Sequence, residues 1–78
     1  SMPLGVDNIY QNYLNMIETN ASREEAINAM DKAEVDQLYF VVNNYWHRAK
    51  QAINQATLTA DEKILIDNGV TTIFVYKR

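Results

Sequence analysis

The sequence predicts an all-α fold, namely a small four-helix domain with a short extended or β segment at its C-terminus. Apolar residues recur at intervals of three and four along much of the chain, which favours helices. Two Ser/Thr-x-x-Glu patterns are typical of helix N-termini. The last residues, 70–78, are instead rich in β-branched and aromatic side chains, which favour strands. Residues 1–78 are therefore expected to form a single helical domain, with a tag remnant and N-terminal arm at 1–6.

The first helix is predicted to begin at Asp7 or Asn8, either of which can cap a helix, and to end near Thr19. One broad apolar face is expected along it, formed by Ile9, Tyr10, Tyr13, Leu14, Met16 and Ile17. A second helix follows from Arg23 to about Lys32, because Ser22 and Glu25 form a capping box.

A turn at residues 31–34 is predicted to separate the second helix from a long third helix, Val35 to Ala56. The residues of its core stripe are Val35, Leu38, Val42, Tyr45, Ala49, Ala52, Ile53 and Ala56. Tyr39, Phe40, Val41 and Trp46 fall outside that stripe. A helix that is apolar on several sides requires cover from other helices or from a second chain.

The fourth helix is expected to start at Thr59, which forms a capping box with Glu62, and to stop at Asn68-Gly69. The following segment, Val70 to Tyr76, has the composition of a strand, but no second strand is apparent elsewhere. Three outcomes stay open for it. The segment pairs with its own copy in another molecule, adds to a partner's sheet edge, or packs on the helices because tertiary contacts override propensity.

Composition argues for a small acidic cytoplasmic protein. Ten acidic and seven basic residues give a net charge of -3, and the basic residues are scattered, which disfavours nucleic-acid binding. The chain has no cysteine, which suits a reducing compartment, and no apolar run long enough to span a membrane. All nine asparagines fall in or near predicted helices, a composition that is compatible with an AT-rich gene such as that of a phage or mobile element.

Catalysis, metal binding and cofactor binding are not predicted, so the protein is expected not to be an enzyme. His47 is the only histidine, and no Asp or Glu lies three or four positions from it on the predicted helix. Ser22 and Thr59 are explained as helix caps, and the spacing of Asp31, Glu34 and Asp36 does not match a calcium loop.

The predicted function is a non-enzymatic protein-protein interaction module, such as a small regulator or inhibitor, with a possible homodimer as one form. It would bind its target through the apolar and aromatic side of the third helix. The expected partner-binding residues are Tyr39, Phe40, Trp46, His47, Lys50, Phe74 and Tyr76. The alternative is a nucleic-acid-associated regulator, in which aromatic residues beside Arg48 and Lys50 stack on bases.

One family resemblance supports that alternative. Four segments, in this order along the chain, carry it: Tyr13-Leu14, Ser22 to Lys32, His47-Arg48 and Thr71 to Arg78. Together they resemble the Hha/YmoA family of small helical proteins, which associate with the nucleoid protein H-NS. The resemblance implies a helical fold and a role as a modulator of a nucleoid protein. Trp46 stands where that family has an acidic residue implicated in partner binding.

Overall fold

The computed structural model describes residues 13–78 and shows helices packed on one face of a three-stranded antiparallel sheet. The elements in chain order are α1 (helical at 13–18), α2 (Arg23–Ala33), β1 (Gln37–Asn43), a 3-10 turn (His47–Ala49) leading into α3 (Lys50–Thr59), β2 (Glu62–Ile66), a 3-10 turn (Asp67–Gly69) and β3 (Thr71–Lys77). The predicted all-α four-helix bundle is therefore wrong, and the fold is α+β.

The second predicted helix is confirmed. Ser22 is the N-cap of α2, and its Oγ accepts a hydrogen bond from the Glu25 N–H at 3.4 Å. The helix ends at Ala33, and the left-handed backbone of its C-cap, Glu34 (φ 56°), turns the chain toward β1. The predicted start of the first helix, with Ile9 and Tyr10, lies outside the described residues.

The predicted third helix is wrong over its first half, because residues 37–43 form strand β1. Its side chains alternate between the two faces of the sheet, so Phe40 and Val42 are buried while Tyr39 and Val41 are exposed. Tyr45, predicted to face the core, lies after the strand and is 77% exposed. The last part of the prediction is confirmed, because α3 (Lys50–Thr59) includes residues 50–56.

The predicted fourth helix is also wrong, because residues 62–66 form strand β2. The strand-like tail becomes β3, the centre of the sheet, and pairs with β1 on one side and β2 on the other. The strands that pair with this segment therefore belong to the same chain. The β2–β3 connection is tight: Asp67, Asn68 and Gly69 all have positive φ, and the glycine at +85° adopts this conformation without strain.

The core lies between β3 and the helices. Thr72, Phe74 and Tyr76 point from β3 toward the helices and are at most 1% exposed. The Phe74 ring lies 6.1 Å from that of Phe40 on β1. Opposite the sheet, the buried residues of the helices and of the turn between α1 and α2 are Met16, Ile17, Ala21, Ala26, Met30, Ala49, Ala52 and Ala56. The alanines let the helices approach the aromatic side chains closely.

Arg23 ties the ends of three elements together. Its guanidinium donates to the Thr59 carbonyl at 3.1 Å, to the Lys77 carbonyl at 3.1 Å and to the Asp61 carboxylate at 3.2 Å. Asp61 also accepts the Lys77 backbone N–H at 2.7 Å. That backbone hydrogen bond, with the Arg23 contact, lowers the pKa of the Asp61 carboxyl.

Candidate protein-binding surface

The face of the sheet turned away from the helices is apolar at its centre, with Gln37, Asn43, Glu62 and Lys77 toward its ends. Its apolar side chains, here called the open face, are Tyr39, Val41, Ile64, Ile66, Ile73 and Val75, of which Val75 is only 3% exposed. The strand register places Val41, Ile73 and Ile64 in one row across all three strands. Tyr39 is 63% exposed, and no helix within residues 13–78 packs over this row. Antiparallel sheets commonly keep polar side chains on a solvated face, so this face is available for apolar contact.

A groove of about 440 Å³ follows the outer edge of β1, the edge that does not pair with β3. This groove is here called the β1 groove. The residues that line it are Tyr13, Met16, Ala29, Ala33, Val35 and the consecutive residues 37–41. Alternate side chains of a strand point to opposite faces, so consecutive residues share one groove only by exposing their backbone edge. Among the described residues no strand occupies that edge.

The far end of the β1 groove is aromatic. The Tyr13 ring lies 5.7 Å from the Phe40 ring and stacks on Trp46 at 6.0 Å, with only 8° between the planes. A second hollow begins there and is lined by Tyr13, Asn43, Tyr45 and Trp46. Amphipathic rings of this kind dominate the energetics of many protein interfaces.

The loop that carries Tyr45 and Trp46 is held in place by Asn43 and Asn44. The Asn43 side-chain oxygen accepts the Tyr45 N–H at 2.7 Å, and the Asn43 carbonyl accepts the Trp46 N–H at 3.3 Å. The Asn44 amide donates to the Gly69 carbonyl at 2.6 Å and accepts from the Thr72 hydroxyl at 2.9 Å. The exposed aromatic rings therefore stand on a loop that is anchored to the sheet.

The structure brings only some of the predicted partner-binding residues to this surface. Tyr39 lies within β1 and lines the β1 groove, and Trp46 lies three residues after β1 and lines the second hollow. His47 and Lys50 are exposed where the 3-10 turn enters α3, and neither lines the β1 groove. The remaining three predicted residues are core side chains, namely Phe40, Phe74 and Tyr76, of which Phe40 also borders the β1 groove. The expectation that Phe40 exceeds what the core can bury is wrong, because strand alternation turns it inward, where it is 2% exposed.

Several residues of the surface were missed from the sequence, namely Val35, Val41, Ile64, Ile66 and Ile73. Leu38 to Val42 is a continuous run of apolar residues rich in aromatic and β-branched side chains, a composition that is typical of strands and could have identified β1. Ile64 to Ile66 is a similar short run, which the capping-box interpretation of Thr59 obscured.

Charges lie around this surface and not on β1. None of the residues of β1, Gln37–Asn43, is charged. Ion pairs engage four of the seven cationic side chains: Arg23 with Asp61, Arg48 with Glu18, Lys77 with Glu62, and Arg78 with Asp31 and Asp36. Lys32, Lys50 and Lys63 have no ion pair with the described residues, and they lie on three different elements. The cations therefore form no continuous stripe of the kind that phosphate backbones require.

Within residues 13–78, no group of three or more His, Cys, Asp or Glu side chains is placed to hold a metal ion. His47 is exposed at the start of the 3-10 turn. No helix in this part of the chain is long and apolar enough to cross a bilayer.

Comparison with known proteins returned no match to a family model, to a curated protein or to a solved structure. The resemblance to the Hha/YmoA family is therefore without support, and the helical fold that it implies is contradicted by the three-stranded sheet. The function of the surface around β1 therefore has to be inferred from the residues that form it.

Proposed function

We propose that the protein is a non-enzymatic protein-binding module, acting as a small regulator or inhibitor, whose contact surface is centred on β1. The observation that carries this proposal is one uncharged strand with an apolar groove along its free edge and exposed apolar side chains on its open face. Within residues 13–78 no other element covers these apolar side chains, and grouped exposed apolar side chains favour contact with another apolar surface.

The residues at this surface are of the types that contribute most to protein interfaces. Tyr39 and Trp46 are exposed, and each has a contact to a neighbouring side chain: the Tyr39 hydroxyl donates to the Gln37 side chain at 3.1 Å, and Trp46 stacks on Tyr13. Rings that are held in place lose little conformational entropy on binding. We expect each of them to account for about 1 to 2 kcal/mol of binding free energy.

The test is affinity capture from lysate of the source organism with two matched variants. Tyr39→Ser combined with Val41→Ser removes apolar side chains from the open face without touching the core. Leu58→Ser is the control, because Leu58 is 78% exposed on α3, away from β1. Mass spectrometry is expected to identify a protein retained by wild type and by the control variant and lost from the double variant.

Loss of the captured protein from both variants, or from neither, would contradict a surface centred on β1. Thermal unfolding of all three proteins must coincide for the comparison to count, since a destabilised variant loses binding for an unrelated reason.

Binding to nucleic acid has less support. The overall charge is negative, and most cations are already paired with carboxylates. Mobility-shift assays with single- and double-stranded DNA at about 0.15 M salt are expected to show no submicromolar binding.

A further inference from the structure

We propose that the β1 groove receives an extended segment of the partner protein, which adds to the outer edge of β1 as a fourth strand. This inference rests on the proposed function and specifies its mode of binding. The segment would carry apolar side chains at alternate positions, would lack proline where it pairs, and would have a basic residue at the Gln37 end of the groove.

The two edges of the sheet differ in how they are protected. β2 is five residues long and begins with Glu62 and Lys63. Short edge strands with charged side chains resist pairing with other chains. β1 is seven residues long and has neither a charge nor a proline. The unprotected edge is therefore the one that lies along the groove.

The helices beside β1 leave room for side chains. Ala29 and Ala33 of α2, with Met16 of α1, line the β1 groove opposite the strand edge. A strand added to β1 would direct alternate side chains toward these residues, and its other side chains would extend the row of the open face. The backbone would supply hydrogen bonds along the edge, and the groove would select apolar side chains of moderate size.

A second copy of this chain fits the groove less well. Symmetric pairing of β1 with itself about Phe40 would set the two β1 grooves against each other. The inward side chains Phe40 and Val42 are already covered by their own helices, so neither copy could fill the other's groove. A segment that carries no helices of its own can enter it.

The acidic side chains near the Gln37 end of the β1 groove favour a basic residue in the partner's segment at that end. Three carboxylates, those of Asp31, Glu34 and Asp36, lie near that end together with Lys32 and Arg78. The Asp36 side chain is 92% exposed, and its nearest cation, Arg78, is 3.7 Å away and closer to Asp31. A lysine or arginine of the partner would complete the pairing of Asp36.

The experiment selects binders from a displayed library of random linear peptides longer than β1. Wild type is the bait, and Ala33→Trp, which fills the β1 groove, is used for counter-selection. Asn28→Trp is the matched control, because Asn28 is exposed on the same helix and does not line the groove. Selected peptides are expected to alternate apolar residues and to bind Ala33→Trp at least about tenfold more weakly than wild type or Asn28→Trp.

The best peptide is then titrated into labelled protein and followed by NMR. Amide shifts and slowed hydrogen exchange are expected along residues 37–43, with methyl shifts at Ala29 and Ala33. N-methylation of alternate peptide residues should abolish binding, because it removes the donors that strand pairing needs.

Strand addition would be overturned if no selected peptide bound Ala33→Trp more weakly than wild type, or if peptides N-methylated in either register bound unchanged. It would also be overturned if the NMR shifts were confined to Ile64 and Ile73, or if the protein dimerised through β1 in a concentration-dependent way. Each of these results leaves the broader function testable, because capture by wild type and loss with Tyr39→Ser/Val41→Ser test apolar contact at β1, whatever the conformation of the partner.

Discussion

The Tyr76 hydroxyl lies 2.9 Å from the Thr59 hydroxyl, and this hydrogen bond joins the central strand, β3, to the last residue of α3. The Thr59 hydroxyl also donates to the Ala21 carbonyl at 3.1 Å. A threonine hydroxyl has one proton, so Tyr76 must be the donor to Thr59. The hydrogen bonds thus run from β3 through α3 to the turn between α1 and α2, and they satisfy polar atoms that lie beside the core.

Removing the Tyr76 hydroxyl should weaken the fold. Tyr76→Phe keeps the buried ring but deletes the donor to Thr59, so we expect the free energy of unfolding to fall by about 1 kcal/mol. Urea unfolding followed by circular dichroism measures this change. Tyr45→Phe is the control, since Tyr45 is 77% exposed, and its unfolding midpoint should match that of wild type. Equal midpoints for both variants would show that the Tyr76 hydrogen bond contributes nothing measurable.

Alkaline pH should destabilise the protein through the same residue. Burial raises the pKa of Tyr76 above its ordinary 10.0, an effect that the hydrogen bond with Thr59 partly offsets. The unfolded chain therefore releases this proton at a lower pH than the folded chain does. The contribution of Tyr76 is fully present below pH 10.0 and is lost as pH rises through the folded pKa. Urea midpoints from about pH 8 to about pH 11 should fall less steeply for Tyr76→Phe than for wild type. Parallel curves would exclude this linkage.

Acid should destabilise the protein through Asp61. Hydrogen bonding from the Lys77 backbone N–H, and then from Arg23, lowers the pKa of Asp61 below its ordinary 3.8. A depressed folded pKa means that the unfolded state binds the proton first, so this stabilisation is present above pH 3.8 and is lost as pH falls through the folded pKa. Asp61→Asn should be less stable at neutral pH and should lose less stability in acid than wild type does. Identical acid profiles would mean that other carboxylates set the acid transition.

Of the two capping boxes predicted from the sequence, one marks the start of a helix and the other does not. Ser22 with Glu25 marks the start of α2, as expected, because the hydrogen bond between them depends only on residues three apart. Thr59 with Glu62 has the same pattern but ends a helix, since Thr59 instead bonds Ala21 and Tyr76. Those partners lie far away in sequence, where a local pattern holds no information about them.

The error at β1 has a different cause. Leu38 and Val42 are four residues apart, a spacing that suits one face of a helix and one face of a strand equally. What decides between them is the availability of β3, which arrives at the end of the chain and pairs with β1 from Gln37 to Asn43. Strand pairing of this kind overrides local periodicity. The sequence indicated aromatic side chains outside the core, of which Tyr39 and Trp46 are exposed, but it did not indicate the strand that positions Tyr39.

The alternation of β1 can be tested with two neighbouring residues. Phe40 is 2% exposed and contacts the Phe74 ring, whereas Tyr39 is 63% exposed on the open face. We expect Phe40→Ala to lower the free energy of unfolding by about 3 to 5 kcal/mol, because it leaves a cavity in the core. Tyr39→Ala should change it by about 0.5 kcal/mol or less. In a helix covering residues 35–56, both side chains would lie outside the core stripe, and the two variants would unfold alike. Urea unfolding decides between these outcomes. A Phe40→Ala protein as stable as the Tyr39→Ala protein would contradict the placement of Phe40 beneath the helices. It would also contradict the strand geometry from which the β1 groove is inferred.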